Sequence, residues 1–357
     1  MAFQYSRRSA VKAAVSSAAA LLVLLTQPAA FAQSQAASEP SLYTGADRQQ
    51  RLLEGAKKEG ELQLYTVTPL EDLAALTEAF EKKYGIKVKV WRSGSDSVLQ
   101  RVVSEARAGR FTADIIENNG PELEALHREK LLQEVKSPYL ADLIPQAVPR
   151  HREWAAVRMN IFSLAYNTGL VKKEDLPKSY EDLLHPKWKG KLGIEATDVD
   201  WFAEIMGQMG EAKGVKLFRD IGATNGLSIR KGHSLLANLV ASGEVPLALT
   251  VYNYKAEQLK SKGAALDWFV IPPALAQPNG VAMTKRAPHP HAAVLFYDFL
   301  LSDAQAILAK RDFVPTSTKV ETALNKMPIK FIDSKVVLDE HDKWSKLYDA
   351  TVLKQSR

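Results

Sequence analysis

The chain has 357 residues, a net charge of +6, 46% hydrophobic residues and no cysteine. The missing cysteines exclude disulfides and thiolate metal sites, and the length makes two domains with sizeable cores the natural expectation. The positive charge is mild and forms no basic stripe interleaved with aromatics, so nucleic acid is not expected as a partner.

The amino terminus reads as an export signal. Arg7, Arg8 and Lys12 form a basic start, residues 13–25 are an Ala/Leu/Val run broken by Ser16 and Ser17, and Ala30-Phe31-Ala32 is a small-x-small cleavage site. The run is too short to span a bilayer comfortably, and the order of the three parts is that of a signal peptide. We therefore assign 1–32 as a signal peptide, with no membrane insertion after cleavage and a periplasmic destination. The adjacent Arg7 and Arg8 are compatible with either the Sec or the twin-arginine route. Removing Arg7, Arg8 and Lys12, the charged residues of that segment, takes the net charge from +6 to +3. Residues 33–45 are small and polar and read as a linker, with order beginning near Asp47.

A short helix is expected over 51–58, then strands and helices alternate. Leu62 and Leu64 mark a strand over 61–68. Pro69 opens a helix with Leu73, Leu76, Phe80 and Tyr84 at helical spacing, and Gly85 closes it. Ile86, Val88 and Val90 alternate as a second strand. Ser95 is the expected N-cap of a helix burying Leu99, Val102, Val103 and Ala106. A strand over 113–116 and a helix from Pro121 to His127 follow. This order implies right-handed crossovers and a parallel sheet, whose ligands sit beyond the carboxyl ends of the strands. Those ends are Thr66-Val67-Thr68, Arg92-Ser93-Gly94-Ser95 and Glu117-Asn118-Asn119-Gly120.

A second α/β block starts near Trp154. Strands are expected over 161–167, 192–196, 227–229, 245–251 and 268–271. Helices are expected from Ser179, from Thr197 as its cap (burying Phe202, Ile205 and Met209) and from Ser234. An apolar strand over 281–283, an apolar helix over 291–301 and a charged amphipathic helix or pair over 335–354 complete the chain.

Several segments resemble one family, the extracellular solute-binding proteins of ATP-driven (ABC) importers, in the branch that includes ferric-iron receptors. Ser179-Tyr180-Glu181-Asp182-Leu183-Leu184-His185-Pro186-Lys187-Trp188-Lys189-Gly190-Lys191 is similar to that family's Asp-Leu-x-x-Pro-x-Trp-Lys-Gly-Lys stretch. Leu164-Ala165-Tyr166-Asn167-Thr168, Gly243-Glu244-Val245-Pro246 and Pro278-Asn279-Gly280-Val281-Ala282 resemble further family segments in the same order. The resemblance implies an α/β, two-lobed periplasmic-binding-protein type II fold, each lobe a mixed, mainly parallel sheet flanked by helices. It places lobe 1 at 46–157 plus 278–312 and lobe 2 at 158–277 plus 313–357, closing by hinge bending over a small-molecule ligand. It also implies ABC importer permease subunits as partners, a monomer, no cofactor and no enzymatic activity.

Ferric receptors of this branch use two neighbouring tyrosines with a His and a carboxylate. Here the corresponding stretch is Tyr252-Asn253-Tyr254, the loop after Tyr65 has no His, and Asn119 stands near the expected carboxylate position with Glu117 close by. Iron binding, if present, would use Tyr252, Tyr254 and Glu117. Otherwise the residues point to a small anionic or polar solute. Thr66, Thr68, Ser93, Gly94, Ser95, Asn118, Asn119, Thr197 and Ser234 supply hydroxyls, amides and helix starts, where unpaired N–H groups favour an anion. Arg92 and Arg230 form the expected clamp on carboxylate or phosphate. Trp201 either stacks on ligand or packs in the core, and His233 either contacts ligand or is structural. Glu122 and Glu124 read most simply as a solvated helix start, and the seven histidines show no metal spacing. A periplasmic enzyme on a similar scaffold is the rival, but Gly-x-Ser-x-Gly, a Gly-Lys-Ser/Thr phosphate loop and His-Glu-x-x-His are all absent from the sequence. A sensor that docks a membrane chemoreceptor is a third reading.

Overall fold

The computed structural model describes residues 40–322 and 327–355. The signal peptide and residues 33–39 of the expected linker lie outside the described residues. The packed chain starts earlier than Asp47, since the buried Ser41 hydroxyl donates to Gln133 Oε1 at 3.1 Å.

The first half runs α1 (Arg48–Glu59), β1 (Glu61–Thr66), α2 (Leu70–Tyr84), β2 (Lys87–Arg92), α3 (Ser95–Arg107), β3 (Ile115–Asn119) and α4 (Gly120–Arg128). Helix α2 buries Leu73, Leu76 and Phe80 as its spacing requires. It ends at Gly85, whose φ of 72° lets its N–H return to Glu81 O at 2.8 Å. After β4 (Leu132–Gln133) comes β5 (Trp154–Asn167), a 14-residue strand buried throughout. The second half follows with β6 (Leu192–Glu195), α5 (Val199–Met209), α6 (Glu211–Asn225), β7 (Ser228–Arg230), α7 (His233–Ser242), β8 (Leu247–Tyr252), α8 (Asn253–Ser261) and β9 (Leu266–Phe269). The chain then returns through β10 (Ala274–Thr284), α9 (Pro290–Leu301), α10 (Asp303–Lys310), β11 (Val314–Pro315), β12 (Ile329–Phe331) and α11 (Ser334–Thr351).

The sheet order β2-β1-β3-β10-β5-β8-β6-β7 makes two parallel wings joined by an antiparallel centre. Strand β1 pairs in parallel with β2 and β3, and β6 in parallel with β7 and β8; β10 and β5 run antiparallel to each other and to the wings. The wings therefore run in opposite directions, and their carboxyl ends approach one another over the centre. Register fixes where: Asn119 of β3 and Arg158 of β5 both pair with Asn279, while Tyr252 of β8 and Leu275 of β10 both pair with Phe162. The ends of the wings thus lie about 13 Å apart along β5, with residues 158–162 and 275–279 as the floor between them. This is a two-lobed α/β architecture, with the expected lobe boundaries at 157/158 and 277/278 falling inside β5 and β10. Helix α11 packs on both α4 and α5, so it touches both halves.

Several local expectations are corrected. Ser95 and Thr197 are not N-caps: Gly94 and Asp198 hold those positions, the helix expected from Ser234 starts one residue earlier at His233, and none of the three helices has a side-chain cap bond. The helix expected from Ser179 is two 3₁₀ turns, Glu181–Leu184 and Pro186–Trp188. Pro186 forces His185 into an extended conformation between them. The strand expected over 161–167 starts at Trp154, and α6, α8 and α10 were not anticipated. Among the described residues no single helix is long and apolar enough to cross a membrane. The bent pair α9–α10 comes nearest, but α9 is core, buried from Ala292 onward, with Phe296 edge-on to Phe80 at 4.9 Å.

Candidate functional site

Side chains alternate along a strand, so Arg158, Asn160 and Phe162 share one face of β5, and Gln277 and Asn279 share one face of β10. Phe162 meets the His233 and Tyr252 rings, at 6.2 and 5.2 Å, and Asn279 donates to Asn119 Oδ1 at 3.0 Å. The faces carrying these residues form the floor of the groove.

The first wall comes from the ends of β2 and β3. Asn119 donates to Ser95 Oγ at 2.9 Å, and Asn118 donates to Ser95 O at 3.1 Å. Ser95 therefore faces the groove as a first helical residue. Gly94 is exposed and Ser93 half-buried beside it, with Ser93 N–H on Thr66 O at 3.1 Å. Thr66 and Thr68 are fully buried and donate to Glu117, whose carboxylate is ion-paired with Arg158 at 2.6 Å. Arg158 also donates to Thr68 Oγ1 at 2.9 Å. This network leaves only Arg158 Nε without a partner. It braces the wall, and Glu117 is not free for a metal ion. Arg92 is exposed at the rim, donating to Val67 O at 3.3 Å.

The second wall comes from β6, β7 and β8. Glu195 accepts from Gly232 N–H at 2.7 Å and from the Thr197 hydroxyl at 2.8 Å, tying two strand-end loops together. Burial, then the nearby Asp198, raises its pKa. His233 lies 3.2 Å from Asp198 and stacks on Tyr252 at 3.7 Å. Burial pulls the imidazole down, but the Asp198 carboxylate outweighs it and the pKa ends above the usual value. Tyr252 donates to Gln277 Oε1 at 2.8 Å, and Gln277 in turn donates to Asp200. Burial, then Asp198 and Asp200, pushes the Tyr252 phenol well above its ordinary range.

Sequence reasoning missed the acids. Asp200, in the first turn of α5, is raised to about 7 by burial, then by Asp198 and Asp96. Glu122, in the first turn of α4, is raised well above the carboxylate range by burial and then by Asp200. It is not a solvated helix start, since carboxyls from opposite walls feel each other across the groove. Several buried polar atoms here have no partner, the acceptors Glu122 Oε2, Asp198 Oδ2, Asn160 Oδ1 and Asn279 Oδ1 and the donors Arg158 Nε and Asn253 Nδ2. The sequence did offer one signal, Asp198-x-Asp200 where the chain passes from β6 into α5.

Other expected contacts fall elsewhere. Trp201 is 2% exposed and packs edge-on to Phe218 at 5.6 Å and Tyr180 at 5.8 Å, so of its two readings the core one holds. Arg230 is ion-paired with Glu244 at 3.0 Å on the outer surface, so Arg92 and Arg230 do not form the expected clamp. Thr197 is exposed, engaged with Glu195, and Ser234 is half-buried in the first turn of α7. Tyr254 enters α8, yet its ring stacks 6.1 Å from Tyr252 and lies 4.1 Å from Phe313. Burial pushes its phenol up to about 12. A separate cavity of about 660 Å³ lies at the opposite, amino-terminal end of β3, against Val102, Phe111 and Leu131. It shares no residue with the groove and sits where open α/β sheets do not bind their ligands.

Comparison with known proteins places this geometry. Residues 67–307 match the bacterial extracellular solute-binding protein family. Iron uptake protein A1 of Synechocystis is 26% identical over 271 residues, 71% of this chain and 74% of that protein. Iron-bound HitA from Pseudomonas aeruginosa superposes with a TM-score of 0.71 at 24% identity, covering 82% of this chain and 99% of HitA. AfuA from Actinobacillus pleuropneumoniae, with fructose-6-phosphate bound, gives a TM-score of 0.73 at 23% identity over 83% of this chain and 99% of AfuA. With the family match spanning well over half its length, two wings and a polar groove between them, the chain belongs to the bacterial extracellular solute-binding proteins.

Proposed function

We propose that the groove between the wings captures a small solute carrying positive charge, and that the chain releases it unchanged. Membership of the family makes the chain the binding component of an ABC importer, with membrane permease subunits as its partners. We further propose that it is a monomer, exported to the periplasm by its 1–32 signal.

The observation that carries the charge preference is the convergence of Glu122, Asp198 and Asp200 with unpartnered acceptor oxygens. Arg158 at the floor is already neutralised by Glu117. Glu122 and Asp200 hold their protons because negative charge is costly there; a cation would displace those protons and supply the missing counter-charge, whereas an anion would raise that cost further. Of the small anionic or polar solute expected from the sequence, this argues against the anionic part. Ferric ion is one such cation. Its relatives' names point the same way, and carboxylate and phenol oxygens are hard donors. The ligand set would be Tyr252 with Asp200 and Glu122 rather than a tyrosine pair with Glu117, and the cation would have to displace the proton from a phenol that holds it tightly.

A second reading rests on the uncapped helix starts of α3, α4, α5, α7 and α8, which converge on the groove and favour phosphate; AfuA has a sugar phosphate bound. A thermal-shift screen separates the two. Ferric nitrilotriacetate or a polyamine is expected to raise the melting temperature of the purified chain, and Asp200→Asn to diminish the rise. Stabilisation by fructose 6-phosphate or an alkylphosphonate alone would overturn the cation reading. Recovery of the solute chemically altered after incubation would show an enzyme instead.

A further inference from the structure

At the far end of α4 from the groove, four side chains form a cluster that the solute site does not use. Glu124 and His127 stand one turn apart on α4, a spacing that puts both on one face. His151 and Glu153 come from the turn ahead of β5. Ligand atoms of Glu124, His127 and His151 lie within 4.8 Å of one another. The two imidazoles stack with centroids 3.6 Å apart and planes within 12°. His127 Nδ1 is 2.7 Å from Glu153 Oε2, and His151 Nε2 is 3.1 Å from Glu124 Oε2.

These bonds fix the tautomers of the neutral rings. The Glu153 N–H donates to His151 Nδ1 at 3.1 Å, so the His151 proton sits on Nε2 and points at Glu124. His127 donates from Nδ1 to Glu153, which leaves its Nε2 lone pair free. A carboxylate behind one ring nitrogen with the other nitrogen open is the arrangement that orients metal-bound histidines. The cluster carries two carboxylates. Arg128, 3.7 Å from Glu124, is itself bonded to Asp339 at 2.5 Å and neutralises little of that charge. The His127 and His151 side chains are 28% and 21% exposed, so an ion reaches them directly from solvent.

We propose that Glu124, His127 and His151, backed by Glu153, form a separate binding site for a divalent cation of the zinc class. Two imidazoles with carboxylate select such an ion over magnesium or calcium, and three protein ligands leave a position for water. Coordination requires the stacked rings to splay so that both lone pairs meet one ion. It also moves the His151 proton to Nδ1 and gives up the bond from Glu153 N–H. The ion would then brace α4 against the start of β5, the long strand shared by both wings.

The test is zinc titration of the chain by calorimetry, with cobalt(II) absorption as a reporter of coordination. Zinc uptake at this site is expected, retained in the groove variant Asp200→Asn and lost in His127→Gln and in His151→Gln. Glu153→Gln is expected to weaken binding about tenfold. Cobalt(II) added to the unaltered chain is expected to show the intense visible bands of a four-coordinate site, a readout that does not depend on any variant folding. Failure of the unaltered chain to take up zinc, uptake unaffected by both histidine changes, or a cobalt spectrum of the hexa-aqua ion would each overturn the proposal.

Discussion

At the scale of single residues, the groove is a set of groups held away from their ordinary ionisation. Asp200 titrates at about 7 against an ordinary 3.8, because burial, Asp198 and Asp96 all oppose its charge. Between those values the folded chain keeps a proton that the unfolded chain has lost. The resulting stabilisation is fully present below about pH 4 and is lost as pH rises through about 7, at up to about 1.4 kcal/mol per pH unit. Asp200→Asn removes the titration. Calorimetry should find the variant melting above the unaltered chain at pH 8, with the gap closing by pH 5; a gap independent of pH would assign the effect to something other than this carboxyl. The residues that sequence alone brought to the groove, Ser95, Asn119, His233 and Tyr252, were legible because they lie at the strand ends, or at the helix starts that follow them, of a recognisable α/β pattern. Asp200, Glu122 and Gln277 were not. An acid in the first turn of a helix is ordinary dipole complement in any sequence, and only the antiparallel run of the wings brings two such helix starts together.

At the scale of elements, the centre of the sheet is the part that composition disguised. Strand β5 runs from Trp154, yet Arg158 and Asn160 interrupt its apolar run, and only 161–167 read as a strand. Those polar residues are buried because they floor the groove, so the irregularity of the pattern was itself a sign of the site. Helix α6 escaped notice for a different reason, since Gly214 and Gly222 lower its intrinsic propensity and tertiary packing decides the outcome. The pairing of β10 with β5 is tight at Gly280. A Cβ on Gly280 would lie 2.7 Å from Ala155 O and 3.0 Å from Leu123 Cδ1 and Trp154 Cε3, beside the register shift between Asn279 and Gly280. Backbone on one side cannot give way as a side-chain end can. Gly280→Ala should therefore cost roughly 1–3 kcal/mol of overpacking, read as a lower urea midpoint with an unchanged slope. An unchanged midpoint would mean that β10 shifts freely at this position.

At the scale of the whole molecule, capture depends on how the wings are held together, and the contacts between α2 and α8 are the outer latch. Lys255 on α8 is ion-paired with Glu71 on α2, and Gln258 donates to Asp72 at 2.9 Å and to Arg311 O at 3.0 Å. Lys255 is 8% exposed in this pair while Glu71 is 45% exposed, so the lysine loses more solvent than its partner on closing. Glu71→Gln leaves the buried ammonium without its counter-charge only when the wings are shut. If the wings open so that both groups face water, the change is nearly silent there. With Glu71 45% exposed, solvent screens this half-buried pair to about 1 kcal/mol, which is about a fivefold shift between open and closed populations. Because a groove binds only in its closed fraction, apparent solute affinity falls by the same factor. Glu71→Gln should then enlarge the solute-free radius of gyration in small-angle scattering and weaken solute binding by up to about fivefold, with little change in the urea midpoint. If affinity fell while the scattering profile stayed the same, Glu71 would act on the solute itself and the α2–α8 contact would not govern closure.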